Sequence, residues 1–200
     1  MSLLSRNKPL WQKLCIVLGV ILLLAAAGLT GRNLWQQHQA EQSSAQLLEL
    51  ARQRMEGETT LPDDDPFEPD PLAGYAIDGI LSIPGLGLEL PVLADYSEDN
   101  LRLSICLYEQ DSDGSRKVIA GHNYRNHFGR LGSLAEGDSL TYTAADGSKT
   151  GYRVLSLTEI DADDREALEA GEWDMTLFTC NTDMSRRILV RLAEIPPDSQ

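Results

Sequence analysis

The sequence is poor in the residues that build disulfide frameworks and metal sites. Its 200 residues include only three cysteines and three histidines, with no CxxC pair and no spaced histidine cluster. Three isolated cysteines give no disulfide framework, and a structural zinc site needs about four closely spaced Cys or His ligands. We therefore expect neither a metal nor another cofactor, and a cysteine with a function would act as a free thiol.

Positive charge is scarce in most of the chain. Residues 57–200 carry eleven Lys or Arg against twenty-eight Asp or Glu, whereas residues 1–56 carry six against three. Contacts with nucleic-acid phosphates or an anionic membrane surface need clustered Lys and Arg. The acidic part is therefore not expected to bind nucleic acid, and it fits neutral or cationic partners, although solubility alone also explains its charge.

One stretch, residues 14–31, has no charged residue at all. As a helix these eighteen residues would span about 27 Å, close to the thickness of the hydrocarbon layer. Trp11 and Trp35 flank the stretch as tryptophans do at membrane interfaces. The sequence therefore predicts a transmembrane anchor over 14–31.

The basic residues of the first thirteen positions set the orientation of this anchor. Arg6, Lys8 and Lys13 precede the apolar stretch, which predicts a cytoplasmic segment 1–13 and an extracellular remainder. A cleaved signal peptide is the alternative, because Ala25-Ala26-Ala27 offers small residues for cleavage. The apolar stretch is long for a signal sequence, which favours the retained anchor.

Composition divides the remainder into three segments. Residues 32–57 are rich in Gln, Glu, Ala and Leu at near-helical spacing and predict a helical stalk. Residues 58–74 form an acidic linker with four prolines between Leu61 and Pro71, too many for a helix. Residues 75–196 form the folded domain, in which short apolar runs alternate with Gly, Asp and Asn.

These short apolar runs predict a mostly β domain, a barrel or a sandwich. Asp146-Gly147 indicates a hairpin turn, residues 163–170 indicate a short helix, and residues 126–134 a helical turn. The eight predicted strands are 80–83, 88–93, 101–107, 118–120, 139–143, 151–157, 175–179 and 188–192.

The last two of these strands carry candidate chemistry. Cys180 ends the run 175–179, and Arg187 begins the run 187–191. A thiol at a strand end, with a guanidinium on the next strand, would supply a nucleophile and an oxyanion clamp for acyl transfer. Cys106 lies inside a strand-like run and is expected to pack in the domain, while Cys15 lies within the anchor.

The acid or base must be one of three histidines. His38 lies in a Gln-rich helical stretch, and His127 lies in a polar segment. His122 ends the apolar run 118–121, as expected for a side chain placed at a barrel rim. His122 is therefore the preferred partner of Cys180.

These motifs resemble those of the sortases, the cysteine transpeptidases of the Gram-positive cell surface. The resemblance rests on Ala120-Gly121-His122-Asn123, on Thr176-Leu177-Phe178-Thr179-Cys180 and on Arg187, and it extends over about 79–195. It implies an eight-stranded closed β-barrel with short helices. It also implies the catalytic residues His122, Cys180 and Arg187, with the adjacent Arg186 as the alternative to Arg187.

The same resemblance implies the reaction and the partners. A sortase cleaves an LPxTG-like sorting signal through a thioacyl-enzyme and transfers the surface protein to an amine of a cell-wall precursor or a pilin lysine. Thr179 and Asn123 become candidate substrate-binding residues, the enzyme is expected in the cell membrane, and no cofactor or metal is implied. Asp65-Pro66-Phe67 resembles the lid of pilin-polymerising sortases, although an acidic linker without lid function has the same composition.

Two other functions fit the sequence. One is a cysteine endopeptidase of the same fold, which releases its acyl-enzyme to water. The other is a non-catalytic anchored binding module in which Asp161, Asp163 and Asp164 hold Ca²⁺. Carboxylates are also favoured at a helix start, where these three lie.

Overall fold

The computed structural model describes residues 10–55, 75–112, 114, 116–171, 173–181 and 183–196. The chain divides into two compact units after His38. The predicted linker 58–74, with the lid candidate Asp65-Pro66-Phe67, lies outside the described residues, as does most of the predicted cytoplasmic segment.

The first helix, α1, spans Leu10–Met55 and contains 46 residues. Within the described residues it is the one helix long and apolar enough to cross a membrane. Its apolar side chains between positions 11 and 35 are exposed, as expected of a segment without a protein core around it. The predicted stalk, 32–57, is therefore helical up to Met55.

From Gln39 onward α1 belongs to the second unit, together with the β domain. This part buries one face, because residues spaced three or four apart lie on the same side of a helix. The oxygen of the Ser44 hydroxyl is 3.4 Å from that of Ser104, and Arg52 forms a 2.6 Å ion pair with Glu89. The buried residues of this face are Ala40, Ser44, Leu47 and Ala51.

The β domain is a closed eight-stranded barrel, which confirms the predicted fold class. Its strands follow one another in the order β1-β2-β3-β4-β7-β8-β6-β5 around the barrel. All neighbouring pairs are antiparallel except β2 with β3 and β4 with β7. The elements are β1 Ile77–Ile83, β2 Leu88–Leu93, α2 Glu98–Leu103, β3 Ile105–Gln110, β4 Lys117–Ala120, β5 Ser139–Ala144, β6 Lys149–Asp161, α3 Arg165–Glu169, β7 Met175–Cys180 and β8 Arg186–Glu194, with 3-10 turns at Pro84–Leu86 and Leu131–Ser133.

One predicted strand, 101–107, begins too early. Its first three residues belong to α2, and β3 starts only at Ile105. The Ser97 side chain accepts a hydrogen bond from the Asn100 backbone N–H at 3.1 Å and caps the helix. Glu98 then supplies a negative charge in the first turn, where the helix dipole favours it.

Apolar side chains form two clusters on the two faces of the barrel wall. The barrel core lies inside and includes Leu81, Ile105, Phe128, Leu177 and Val190. The second cluster, here called the outer-face cluster, lies on the other face of β3, β4, β7 and β8, under α1, α2 and α3. It consists of Leu47, Leu93, Leu101, Cys106, Val118, Ala120, Leu168, Phe178 and Leu189.

Candidate active site

Three adjacent strands bring His122, Cys180 and Arg187 to one level of the barrel wall. β4 and β7 are parallel with Ala120 opposite Phe178, so two residues further on His122 reaches the level of Cys180. On the other side of β7, antiparallel β8 places Arg187 directly opposite Cys180. Neighbouring strands lie about 4.8 Å apart. The strand register therefore brings the positions of the three residues predicted from sequence to one end of these strands.

The loop that carries His122 is anchored in the barrel core. The Phe128 backbone N–H donates to the His122 carbonyl at 3.0 Å, and the Gly121 N–H donates to the Phe178 carbonyl at 3.1 Å. A Cβ atom at Gly121 would lie 2.6 Å from the Phe128 ring and 2.9 Å from Ile105. A side chain immediately before His122 would therefore clash with Phe128 and Ile105, so this position favours glycine.

His122 is half-buried, and its ring packs against Tyr124 with 4.9 Å between ring centroids. Burial lowers the pKa of His122 below its usual 6.5; the Glu98 carboxylate opposes this shift and Arg102 adds to it. The imidazole is therefore mostly neutral near pH 7. An imidazolium at this position would form a minor state of the resting site.

His127, the alternative histidine, lies in the interior. It is fully buried, and burial followed by the charge of nearby His122 lowers its pKa to about 4. Within the described residues neither ring nitrogen has a hydrogen bond of normal geometry, although the Ala40 backbone is near enough to oppose the shift. A histidine in this environment stays neutral and has no access to a substrate.

The cysteines differ in their exposure. Cys180 is half-buried at the end of β7, whereas Cys106 has no exposed surface in the outer-face cluster. Burial raises the pKa of Cys106 to about 12, which the Ser97 backbone only partly offsets. Cys15 is exposed on α1, outside the β domain. Among the thiols of the β domain, Cys180 alone reaches the surface.

The geometry separates Arg187 from its neighbour Arg186. Arg186 forms exposed ion pairs with Glu159 at 3.3 Å and Asp161 at 3.6 Å, so its guanidinium is directed to the carboxylates of β6. Arg187 has no ion pair among the described residues, and its Cζ lies 5.4 Å from the centroid of the Phe178 ring. Arg187 is therefore the guanidinium available to Cys180.

The two predicted substrate-binding residues occupy different places. Asn123 donates from Nδ2 to the Asn181 carbonyl at 3.2 Å and so ties the His122 loop to the residue after Cys180. Thr179 is only 1% exposed and lies on the same strand face as the core residue Leu177. Its Oγ1 has no hydrogen-bond partner among the described residues.

Two of the three acidic residues proposed for a Ca²⁺ site have other partners. Asp161 pairs with Arg186, and Asp164 caps α3 by accepting from the Ala167 N–H at 2.9 Å. In the part of the chain that the structure describes, no group of three His, Cys, Asp or Glu side chains is arranged to hold a metal ion. Asp164 fits stabilisation of a helix start, whereas Asp161 is the last residue of β6 and pairs with Arg186 of β8.

Sequence reasoning missed an aromatic series next to the site. The Tyr108 ring meets the Phe178 ring edge-to-face at 5.2 Å, and Tyr96 meets Tyr108 in the same way at 5.0 Å. These residues come from β7, β3 and the loop before α2. No local pattern could have indicated the series, because its members are far apart in the chain.

The fold defines the class, a closed eight-stranded β-barrel with a half-buried thiol at the end of β7. Comparison with known proteins gives the family. The family model described as the sortase domain matches residues 81–194. The chain belongs to the sortase family, which confirms the resemblance inferred from the motifs around His122 and Cys180.

Individual relatives agree with this membership. Sortase A of Bacillus anthracis is 27% identical over 198 residues, covering 90% of this chain and 93% of that protein. The structure of sortase C1 from Streptococcus agalactiae in complex with MTSET has a TM-score of 0.54 at 27% identity, covering 74% of this chain and 88% of that one. The sortase D5 transpeptidase of Clostridium perfringens has a TM-score of 0.59 at 20% identity, covering 77% and 99%, and shows the fold alone.

Proposed function

We propose that this chain is a membrane-anchored cysteine transpeptidase that cleaves an LPxTG-like sorting signal and transfers the surface protein to an amine. The acceptor would belong to a cell-wall precursor or a pilin lysine. The observation that carries the proposal is the register of β4, β7 and β8. It places Arg187 opposite Cys180, and it sets His122, two residues after the end of β4, at the level of Cys180. Family membership supports a sortase transpeptidase independently of this geometry.

In the first half-reaction the Cys180 thiolate attacks the carbonyl carbon of the scissile peptide bond. The oxygen of that carbonyl takes up the electron pair, and Arg187 donates hydrogen bonds to it or to the substrate backbone. As the tetrahedral intermediate collapses, the C–N bond breaks and the His122 imidazolium gives its proton to the leaving amine. A thioester on Cys180 and a neutral His122 remain.

In the second half-reaction the acceptor amine attacks the thioester carbon. Neutral His122 takes a proton from the attacking amine, the C–S bond breaks, and the thiolate leaves. The product holds a new amide bond, and the site again contains a thiolate and an imidazolium. Attack by water instead of the amine would release a free acid, which is the endopeptidase outcome.

The N-terminal helix supports a membrane location. Its segment 14–31 has the length and apolar composition of a membrane span, with basic residues before it. We infer a cytoplasmic N-terminus and a catalytic domain outside the membrane, where sorting signals and cell-wall acceptors would meet it. Gram-positive cells are the expected host of such an enzyme.

The test is capture of the acyl-enzyme. The full chain in detergent is mixed with a library of sorting-signal peptides, and the mass added to the protein identifies the peptide bound to Cys180. We expect Cys180→Ala to abolish capture, cleavage and transfer, because it removes the nucleophile and little volume. Cys106→Ala is the matched control and should retain activity if its fold is preserved.

Turnover by pure Cys180→Ala protein, or loss of activity in folded Cys106→Ala instead, would overturn the assignment. A captured peptide that is released only to water, whatever amine is supplied, would support the endopeptidase in place of the transpeptidase. If a folded chain captures no peptide, both enzymatic functions fail and the non-catalytic binding module is the remaining alternative.

A further inference from the structure

Arg187 forms no ion pair with a carboxylate of the described residues. Its Nη1 is buried and lacks a hydrogen-bond partner among the described residues, and it makes no ion pair there. The contact that the structure does give its guanidinium is the face of the Phe178 ring, 5.4 Å from Cζ. Arg186, one residue earlier, shows the opposite arrangement with its two carboxylates on β6.

Phe178 is placed to act on the site. It lies two residues before Cys180 on the same face of β7, and it is only 7% exposed. Its ring is held by Tyr108 at an interplanar angle of 87°, and Tyr108 is held in turn by Tyr96 at 86°. Edge-to-face packing of this kind fixes the orientation of aromatic rings.

A ring face and a carboxylate hold a guanidinium with different consequences. A carboxylate accepts hydrogen bonds from the N–H groups and so occupies the donors that a substrate oxygen would need. A ring attracts the cation through its quadrupole and leaves the N–H groups in the guanidinium plane unoccupied. Contact with a ring face therefore explains why the buried Nη1 of Arg187 has no hydrogen-bond partner among the described residues.

We propose that Phe178 is a positioning residue for Arg187, which holds the guanidinium beside Cys180 through its ring face while Tyr108 fixes the ring. This inference rests on the proposed function, because it assigns Arg187 a role in the reaction of Cys180. It also gives the residue before Thr179-Cys180 a specific requirement: an electron-rich ring face, in addition to an apolar surface for the outer-face cluster.

The experiment changes the ring quadrupole with little change in shape. Phe178 is replaced in the full chain by mono-, di-, tri- and pentafluorinated phenylalanine, which progressively weakens the negative potential of the ring face. The same series at Tyr152, a buried ring of the barrel core, is the control, with Tyr152→Phe as its reference. Tyr152 pairs with Glu194, at the end of β8 remote from Arg187. Cleavage of a fluorogenic Leu-Pro-Glu-Thr-Gly peptide and alkylation of Cys180 by iodoacetamide are both measured.

We expect kcat/KM for the peptide to fall stepwise with fluorination at Phe178, by about tenfold in total, which is equivalent to about 1.4 kcal/mol. Alkylation of Cys180 should stay within twofold, because a small reagent does not need the guanidinium. The Tyr152 series should leave kcat/KM unchanged, and the thermal stability of both series should be followed as a check on folding.

A flat response at Phe178, an equal loss at Tyr152, or a parallel fall in alkylation of Cys180 would each overturn the inference. Phe178→Leu adds a second measurement that keeps the side chain apolar, and it should reproduce the loss seen with the pentafluorinated ring. If the unmodified chain forms no acyl-enzyme, the proposed function fails and this inference fails with it. An active chain without the fluorine trend refutes the positioning role alone.

Discussion

Acidification should destabilise the second unit through His127. The ring is fully buried and its pKa is about 4, whereas a histidine in an unfolded chain titrates near about 6.5. Between these values the unfolded chain binds a proton that the folded chain does not. Stability therefore falls as the pH falls below about 6.5, and the loss is complete below about 4. Integrated from pH 7 to pH 5, His127 alone accounts for about 2 kcal/mol.

The assay is urea unfolding of the full chain in detergent at pH 7 and at pH 5. Pulse proteolysis measures the folded fraction at each urea concentration. His127→Leu keeps a buried side chain but has no proton to bind. Carboxylates and His122 titrate in both proteins, so the difference in pH dependence isolates His127. We expect the variant to lose about 2 kcal/mol less than the wild type on acidification.

Equal pH dependence in the two proteins would refute the reasoning, since it would mean that His127 is charged in the folded state or titrates alike in both states. The same variant also separates the two histidines in function. Folded His127→Leu should keep most of its peptide-cleaving activity, whereas His122→Ala should be nearly inactive. The reverse ranking would show that the wrong histidine had been assigned as the proton donor.

Three further outcomes are expected. Leu47→Ala should cost about 2 to 5 kcal/mol in urea unfolding, because it leaves a cavity where α1 packs on the barrel; unchanged stability would mean that this contact is absent in solution. Iodoacetamide at pH 8 should modify Cys180 long before Cys106, because the Cys106 pKa of about 12 leaves about one thiol in 10⁴ ionised. Peptide mapping measures the order of modification, and earlier labelling of Cys106 would contradict this prediction. Arg187→Lys should lower kcat/KM by about tenfold or more, whereas Arg186→Lys should have little effect, because an exposed ion pair is worth about 0–1 kcal/mol. Equal effects at the two positions would contradict the assignment of Arg187 as the arginine that holds the oxyanion.

The strands were predictable where apolar residues and turn signals coincide. The turn at Asp146-Gly147 has Gly147 at a φ of 84°, and it joins β5 to β6 as predicted. The predicted helix at 163–170 is present as α3, with Asp164 as its cap. The early start given to β3 came from Leu101 and Leu103, which alternate as in a strand. Ser97 was the signal for a helix at this position, because serine is a favoured helix cap.

Contacts between distant elements were not predictable. The face of α1 that packs in the second unit is built largely from Ala40, Ser44 and Ala51, small residues that give almost no apolar periodicity. The bond from Asn123 to the Asn181 carbonyl depends on the parallel pairing of β4 with β7. The sequence could nominate Cys180 and His122 as candidates, because cysteine and histidine are rare here, but it could not show what holds them in place.

The parallel pairing of β4 with β7 has a consequence for how activity arises during folding. Asn123 and Asn181 are 58 residues apart in the chain, and the β5–β6 hairpin between them lies elsewhere in the barrel. Pairing two strands that are far apart in the sequence lowers the conformational entropy of the long loop between them. Because few other contacts compensate for this loss early in folding, we expect such non-local pairs to form late. An incompletely folded chain therefore contains the thiol, the imidazole and the guanidinium as three independent groups. We therefore expect the proposed transpeptidase activity to appear only when the barrel has closed.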